Sequence, residues 1–178
     1  MLSRWKTLSS RIVSSNPWWK YFLDTFETGQ GHSGEYHYVH TDGASMIVPV
    51  LPDGHIVLVN QYRYLCRKES IELPCGGVKS GHSYEETAQH ELEEETGYRA
   101  GAMEVAGEFN PYNGVTDEIC RVFIASALTL SSPRPDVTEE FEILRLRPEE
   151  IDAMIARGEI WDGMTLAAWM LVRANCNY

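Results

Sequence analysis

The sequence predicts an α/β or α+β fold, in which a mixed β-sheet is sandwiched by helices. Runs of β-branched and aromatic residues lie before and after one central helical segment, and two further helical stretches lie near the end of the chain. Strands that precede, surround and follow a helix are typical of this class. No internal repeat or low-complexity segment interrupts the 178 residues, which are enough for one domain with a substantial core.

The N-terminal residues predict a β-rich arm. Asn16-Pro17 and Gly29-Gln30-Gly31 divide this segment into short pieces that favour strands over helices. Four large aromatic side chains lie within residues 18–22, too many for a small arm to bury alone. We therefore expect residues 1–40 to form an arm that packs on the main body or on a second subunit, and residues 41–178 to form the main domain.

Strands of the main domain are predicted from β-rich runs between turn residues. The runs 44–51 and 55–61 are joined by Pro52-Asp53-Gly54, where Pro sets φ and Gly accepts a positive φ, and this predicts a hairpin. Further strands are predicted at 70–73, 104–109, 119–127 and 141–147. Later helices are predicted at 148–157, which opens on a proline, and at 164–173, which is amphipathic.

The central helix is predicted after the glycine pair Gly76-Gly77. Ser83 and Glu86 match a capping box, in which the Ser hydroxyl accepts from a helix N–H and the Glu carboxylate accepts from the backbone of the cap residue. Ala88 and Leu92 are four residues apart, on the face expected to pack against the body. Gly97 supplies the left-handed residue that ends the helix.

The last turns of this helix are crowded with glutamates. Glu91 lies three residues before Glu94 and four before Glu95, so the carboxylates share one face. Like charges at this spacing cost about 0.2–0.5 kcal/mol per pair, and carboxylates at a helix C-terminus also oppose the helix dipole. Several energetically unfavourable charges in one short segment indicate that these glutamates have a function. Three converging carboxylates suit magnesium; a solvated acidic face is the alternative from charge alone.

Composition excludes some classes of partner. The net charge of −11 argues against a nucleic-acid or membrane surface, and no apolar run is long enough to span a membrane. An anionic substrate would then need a cation or a local basic pocket. The cysteines are widely spaced and match no metal or redox pattern, which predicts reduced thiols and a cytoplasmic protein. They are Cys66, Cys75, Cys120 and Cys176.

The glycine, the helix and its glutamates together resemble a known signature. Gly76 followed by Glu91-Leu92-x-Glu94-Glu95-x-Gly97-Tyr98 resembles the Nudix box, the signature of hydrolases acting on nucleoside diphosphates linked to another moiety. The resemblance implies an α/β/α sandwich. Two positions depart from the usual pattern, because His82 stands where the first Glu belongs and His90 stands where the Arg belongs. We expect a working but weakened enzyme; a degenerate domain that binds nucleotide without turnover is the alternative.

The resemblance also implies a divalent metal site. In the family the helix glutamates bind magnesium, and here these are Glu91, Glu94 and Glu95, with Glu94 also assigned to catalysis. The backbone carbonyl before the box glycine, here that of Cys75, is implied as a further ligand. Magnesium is the expected cofactor, with manganese as the alternative.

Two segments resemble substrate-binding parts of ADP-ribose pyrophosphatases and nucleoside diphosphate sugar hydrolases. Gln61-Tyr62-Arg63-Tyr64 implies that Arg63 meets the diphosphate, because a guanidinium fork matches phosphate geometry; an exposed strand arginine is the alternative. The other implied substrate residues are Gly76 and, in loop 110–118, Asn113, Gly114 and Glu118. The ADP-ribose subgroup usually has Pro where this chain has Asn113, which leaves the sugar nucleotide open.

The resemblance also implies that the catalytic base lies on the acidic loop 136–141, where Glu139 and Glu140 are both candidates. The resemblance then predicts magnesium-dependent hydrolysis of a nucleoside diphosphate sugar, with ADP-ribose giving AMP and ribose 5-phosphate. GDP-mannose or another sugar nucleotide is the alternative substrate. The predicted enzyme is a homodimer that binds neither nucleic acid nor membrane.

Overall fold

The computed structural model describes residues 2–131 and 140–174. The chain divides into two compact units. The first, here named the arm unit, contains Met1–Asp42 and Asn110–Glu118, and the second, the core unit, contains Gly43–Phe109 and Ile119–Tyr178. The described helices include none that is both long and apolar enough to span a membrane. The cytoplasmic location stays a prediction from the cysteine pattern.

The arm unit is built on three strands, β1 Lys6–Ser15, β2 Lys20–Glu27 and β3 Ser33–His40. They form an antiparallel sheet in the order β1-β2-β3. The side chain of Asn16 holds the turn after β1, because its Oδ1 accepts from the backbone N–H groups of Trp18 and Trp19, both at 2.9 Å. Strands are predicted in this segment, and aromatic side chains pair across the sheet, as Phe22 of β2 does with Tyr38 of β3.

Loop 110–118 belongs to the arm unit through contacts with β3. Val39 and Thr116 form a parallel bridge, and the His40 imidazole lies 2.8 Å from the Asp117 carboxylate. The backbone N–H of Val39 donates to the carbonyl of Val115 at 2.8 Å. The loop is therefore fixed along much of its length by hydrogen bonds to a strand far away in sequence.

The core unit contains three sheets and three helices within its described residues. Its strands are β4 Ala44–Pro49, β5 Ile56–Arg63, β6 Lys68–Glu72, β7 Cys75–Gly77, β8 Tyr98–Arg99, β9 Ala102–Phe109, β10 Cys120–Ser126, β11 Thr129–Leu130 and β12 Glu142–Leu146. The strand orders in the three sheets are β7-β4-β10-β9, β12-β5-β6 and β11-β8. The helices are α1 Tyr84–Thr96, α2 Pro148–Ala156 and α3 Gly163–Arg173. Since β4 and β10 are parallel and the other pairs antiparallel, the predicted mixed sheet is confirmed.

Apolar side chains fill both faces of the four-stranded sheet. The cluster on one face contains Met46, Val48, Cys120, Val122, Ile151 of α2 and Trp169 of α3. The cluster on the other face contains Ile47, Phe123, Ala125 and, from α1, Ala88 and Leu92. Alternation along the strands thus places α1 on one face and the other two helices on the opposite face, which confirms the predicted sandwich.

The predicted hairpin over residues 44–61 is correct only at its turn. The N–H of Leu51 donates to the carbonyl of His55 at 2.8 Å, and Gly54 has a φ of 84°. However, β4 and β5 meet only at the bridge between Val50 and Ile56, and then enter different sheets. All of β4 and the first half of β5 are buried. Buried strands pair on both edges, and separate sheets give each strand two partners.

Both predicted ends of α1 are present. The N–H of Glu86 donates to Ser83 Oγ at 3.1 Å, and the N–H of Ser83 donates to Glu86 Oε2 at 2.8 Å, completing the capping box. Gly97 has a φ of 71°, and its N–H donates to the carbonyl of Glu93. The hydroxyl of Ser45 on β4 donates to the carbonyl of Tyr84 at 2.7 Å. The first turn of α1 is therefore bonded to the sheet as well as capped.

Replacing the cap residue should destabilise the core unit. Ser83→Ala removes the acceptor for a helix N–H, so we expect the free energy of unfolding to fall by about 1 kcal/mol. Urea denaturation followed by circular dichroism measures the change. Ser80→Ala, in the exposed loop before the helix, is the control and should change stability much less. Equal effects of the two substitutions would contradict the capping assignment.

Candidate active site

Glu91 of α1 lies directly over the backbone of Gly76. A Cβ atom at position 76 would overlap the carboxyl carbon and both carboxylate oxygens of Glu91. A glycine is required here for close approach, because any side chain would displace the carboxylate. The two residues, predicted as metal ligand and substrate contact, are thus brought together.

Cys75 lies beside two of the predicted metal ligands. The pKa of its thiol is raised well above the usual value, first by a hydrogen bond with Cys120, then by burial and by the negative charges of Cys120, Glu95 and Glu91. The thiol is therefore protonated at neutral pH. The carboxylate of Glu95, which is only 8% exposed, and that of Glu91 both act on this position. The thiol is therefore not a metal ligand at neutral pH, and the backbone carbonyl of Cys75 stays a predicted ligand.

The donor set at this place fits a hard divalent cation. It combines three carboxylates on successive turns of one helix with a carbonyl oxygen, and oxygen ligands are those that Mg²⁺ and Mn²⁺ prefer. Across residues 2–131 and 140–174, no three His, Cys, Asp or Glu side chains already stand in coordinating geometry. Mg²⁺ retains several waters and often takes only one or two carboxylates. The ligand set Glu91, Glu94, Glu95 and Cys75 stays a prediction.

A cavity of about 190 Å³ adjoins α1 on the side of Glu91 and Glu94. Its lining residues are Gly77, Lys79, His82, Thr87, His90, Glu91 and Glu94. The imidazole rings of His82 and His90 are nearly parallel, with their centroids 5.8 Å apart and their planes at 18°. The two residues that depart from the usual signature are therefore neighbours, although eight positions separate them in the sequence.

Arg63, the predicted diphosphate contact, is held by an acidic residue that the sequence analysis missed. Its Nε donates to Glu72 Oε1 at 2.8 Å, and its Nη2 donates to Glu72 Oε2. The Glu72 side chain is 2% exposed and that of Arg63 is 46% exposed. The hydrogen bond to Glu72 is the main cause that raises the pKa of Arg63 above its ordinary value. The guanidinium is thus held at a fixed position by a bidentate pair.

A signal for Glu72 was present in the sequence. It is the acid in the predicted strand 70–73, flanked by Ile71 and Leu73. An acid in a short apolar strand is seldom buried unless it is paired. The sequence does not identify its partner, because Arg63 and Glu72 come together only through the antiparallel pairing of β5 with β6.

The predicted substrate residues of loop 110–118 lie in the arm unit. The hydroxyl of Tyr36 donates to the carbonyl of Gly114 at 3.3 Å. The hydroxyl of Thr41 donates to Glu118 Oε2 at 2.7 Å, and Asn110 Nδ2 donates to the Glu118 carbonyl at 2.7 Å. The Glu118 carboxylate therefore has a structural partner within the arm unit. Asn113 is exposed.

Of the two residues predicted on the acidic loop as the catalytic base, the structure describes one, Glu140. Glu139 lies outside the described residues. Glu140 lines a cavity of about 350 Å³ together with Gln61, Tyr62 and Glu142, and no residue is shared with the cavity beside α1. Of the two predicted catalytic glutamates among the described residues, Glu94 shares a cavity with the predicted metal ligand Glu91, and Glu140 does not.

Comparison with known proteins identifies the family. The NUDIX domain model matches residues 15–168, and the chain belongs to this family as a Nudix hydrolase. It is 28% identical over 165 residues to the ADP-ribose pyrophosphatase of Bacillus subtilis, covering 92% of this chain and 89% of that protein. It is 29% identical over 174 residues to the GDP-mannose pyrophosphatase of Yersinia enterocolitica, covering 90% and 91%.

A solved structure supports the same fold. The crystal structure of an ADP compounds hydrolase matches with a TM-score of 0.85 and 21% identity, covering 98% of this chain and 95% of that one. The predicted resemblance and fold class are confirmed.

Substitution of Arg63 should destabilise the protein more than substitution of Glu72. Arg63→Met leaves a buried carboxylate without its cation, and we expect the free energy of unfolding to fall by about 3 kcal/mol. Glu72→Gln leaves an arginine that reaches water and retains a polar partner, at a cost of about 1 kcal/mol. Urea denaturation of both variants measures the difference.

Arg99→Met is the matched control for this pair. Arg99 pairs with Glu93 at 3.0 Å, but its side chain is 64% exposed. An exposed ion pair contributes about 0–1 kcal/mol, so this variant should resemble the wild type. If Glu72→Gln lowers the free energy of unfolding more than Arg63→Met does, the need to compensate the buried Glu72 carboxylate does not explain the pair.

Proposed function

We propose that the chain hydrolyses the diphosphate bond of a nucleoside diphosphate sugar in a divalent-metal-dependent reaction. The proposed substrate is ADP-ribose, with AMP and ribose 5-phosphate as products. The observation that carries the proposal is the position of the Glu91 carboxylate over Gly76, with Glu94 and Glu95 on the next turn of the helix. The names of relatives that align over most of the chain support the substrate class.

In this proposal Glu91, Glu94, Glu95 and the carbonyl of Cys75 hold Mg²⁺, with Mn²⁺ as the alternative. A bound divalent ion supplies charge neutralisation on phosphoryl oxygens and lowers the pKa of a bound water. The position of Glu94 in the cavity beside α1 supports its assignment as the general base, which accepts a proton from the attacking water. Glu140 and Glu139 are the alternative bases.

Arg63 is proposed to orient the diphosphate. Its bidentate pair with Glu72 uses Nε and Nη2, so Nη1 is the guanidinium nitrogen outside the pair. A held guanidinium loses less side-chain freedom when it binds a phosphate, which favours a defined substrate geometry. Gly76, Asn113, Gly114 and Glu118 stay predicted substrate residues from the sequence.

A substrate screen tests the proposal directly. ADP-ribose and GDP-mannose are incubated with the protein and Mg²⁺, and phosphate release is followed after coupling to a phosphatase. A higher kcat/KM for ADP-ribose is expected. A preference for GDP-mannose would assign the other sugar nucleotide, and binding of either compound without turnover would favour a degenerate nucleotide-binding domain.

The metal assignment is tested with Glu95→Gln. The exchange keeps the shape of the side chain but removes a charge, so we expect turnover of the best substrate to fall at least 100-fold while the fold is retained. Without metal the melting temperature should not fall, because like-charge crowding on α1 is relieved. Glu93→Gln is the control on the same helix, since Glu93 pairs with Arg99. Wild-type turnover by Glu95→Gln would refute the assignment.

We further propose that the arm unit mediates a homodimer. Strand β1 is an edge strand, and all ten of its residues are exposed. It carries Leu8, Ile12 and Val13 as exposed apolar side chains, and Trp18 in the following turn is 79% exposed. A long exposed apolar edge is a site for association, and two-fold dimers are the commonest oligomers.

Light scattering at micromolar concentration should give the mass of a dimer, about twice 20.2 kDa. The double variant Leu8→Lys, Ile12→Lys places two charges on the exposed edge strand and should shift the mass towards the monomer. Ser14→Lys, on the same strand, is the control for added charge. A monomeric wild type would remove this proposal.

A further inference from the structure

The stacked histidines His82 and His90 have no role in the proposed reaction. His82 precedes the N-cap of α1, and His90 lies on the same helix face two turns further on, with Glu86 between them. Both side chains are exposed. The pKa of Glu86 is lowered first by the backbone and hydroxyl of Ser83, and also by both imidazoles. The two rings therefore flank one carboxylate at the entrance to the helix.

The separation of the rings matches that of two imidazoles bound to one metal ion. A metal–nitrogen distance of about 2.0–2.1 Å places the ion about 3.2 Å from each ring centre. Two such rings have centroids about 5.2 Å apart at a tetrahedral angle, and about 6.4 Å apart on opposite sides of the ion. The observed 5.8 Å lies between these limits. The χ2 torsion of histidine is broad, so the proposed site requires each ring to turn about χ2 until one of its nitrogens faces the ion.

A buried hydroxyl in the same cavity also points to a ligand. Thr87 is 3% exposed, and its Oγ1 has no hydrogen-bond partner among residues 2–131 and 140–174. A buried polar atom without a partner is unfavourable. Thr87 lines the cavity that His82 and His90 also line. A water bound to an ion in this cavity would give the hydroxyl a hydrogen bond.

We propose that His82 and His90 form a second cation site, selective for a borderline divalent transition-metal ion such as Zn²⁺ or Ni²⁺. Imidazole nitrogen is a preferred ligand of these ions, whereas Mg²⁺ prefers oxygen. Two imidazole side chains and several waters make the coordination shell of this ion, whereas the carboxylates of Glu91 and Glu94, which line the same cavity, belong to the site proposed for Mg²⁺. The site is thus chemically distinct from the oxygen site proposed for Mg²⁺.

The site has a structural consequence for α1. An ion held by both rings ties the loop before the helix to the middle of the helix. Binding to the native state alone raises the apparent stability of the fold. Zn²⁺ therefore acts as a stabilising ligand of the loop and helix, whether or not the substrate is turned over.

Calorimetry with Zn²⁺ in the presence of saturating Mg²⁺ tests the proposal. The full chain carries Cys66→Ser and Cys176→Ser, because the Cys66 thiol is exposed and would compete. One equivalent of Zn²⁺ should bind per chain. His82→Gln and His90→Gln should each weaken binding at least tenfold, and His32→Gln, an exposed histidine in the arm unit, should bind as the parent does.

Two further measurements separate coordination from packing. Zn²⁺ should raise the melting temperature of the parent by several degrees and leave that of the double variant His82→Gln, His90→Gln unchanged. Thr87→Val should weaken Zn²⁺ binding about threefold without lowering the melting temperature in the absence of metal.

The proposal fails if Zn²⁺ affinity is unchanged in either single histidine variant, or if Mg²⁺ displaces the bound Zn²⁺ stoichiometrically. In that case the ring pair only packs. The binding and melting measurements do not depend on turnover, so they remain informative if the proposed hydrolase activity is absent.

Discussion

The contact between the Glu91 carboxylate and the backbone of Gly76 is the constraint on which the site depends. It requires α1 to lie against β7, and β7 is held by antiparallel pairing with β4. The same strand β4 binds the first turn of α1 through the hydroxyl of Ser45. Both α1 and β7 are therefore bonded to the same buried strand, β4, which leaves little freedom in the placement of the helix carboxylates.

Negative charge is accommodated in two different ways in this acidic protein. Glu72 is buried and forms a bidentate pair with Arg63, so its charge is compensated within the chain. The helix glutamates are crowded, and the negative charges of Glu91 and Glu95 both contribute to raising the pKa of the Cys75 thiol. Because the charge of Glu72 is compensated by Arg63, the arginine is held in place. The charges of the α1 glutamates are crowded together, which favours binding of an external cation.

The two departures from the family pattern occupy one place in the structure. The usual pattern has a Glu and an Arg at these positions, whereas here His82 and His90 form a near-parallel ring pair. The exchange replaces opposite charges by two groups that are both metal ligands and proton acceptors. The chain thus retains the carboxylates of the family signature while changing the chemistry of the adjoining cavity.

Local features of the chain were determined by the sequence itself. The capping box of Ser83 and Glu86, and the left-handed Gly97, depend on hydrogen bonds that span only three or four residues, so the pattern was sufficient to predict α1. The family signature likewise lies within one short segment. Glu91 and Gly76 could therefore be singled out from the sequence, but the contact between them appeared only in the structure.

Features that join distant segments were decided only by the tertiary structure. The strands around Pro52-Asp53-Gly54 entered different sheets, because both are buried and each needs partners on two edges. The pair of Arg63 with Glu72 required the register of two strands, and the bond from Thr41 to Glu118 required loop 110–118 to join the arm unit. A sequence pattern identifies which groups need partners, but only long-range packing decides which partners they obtain.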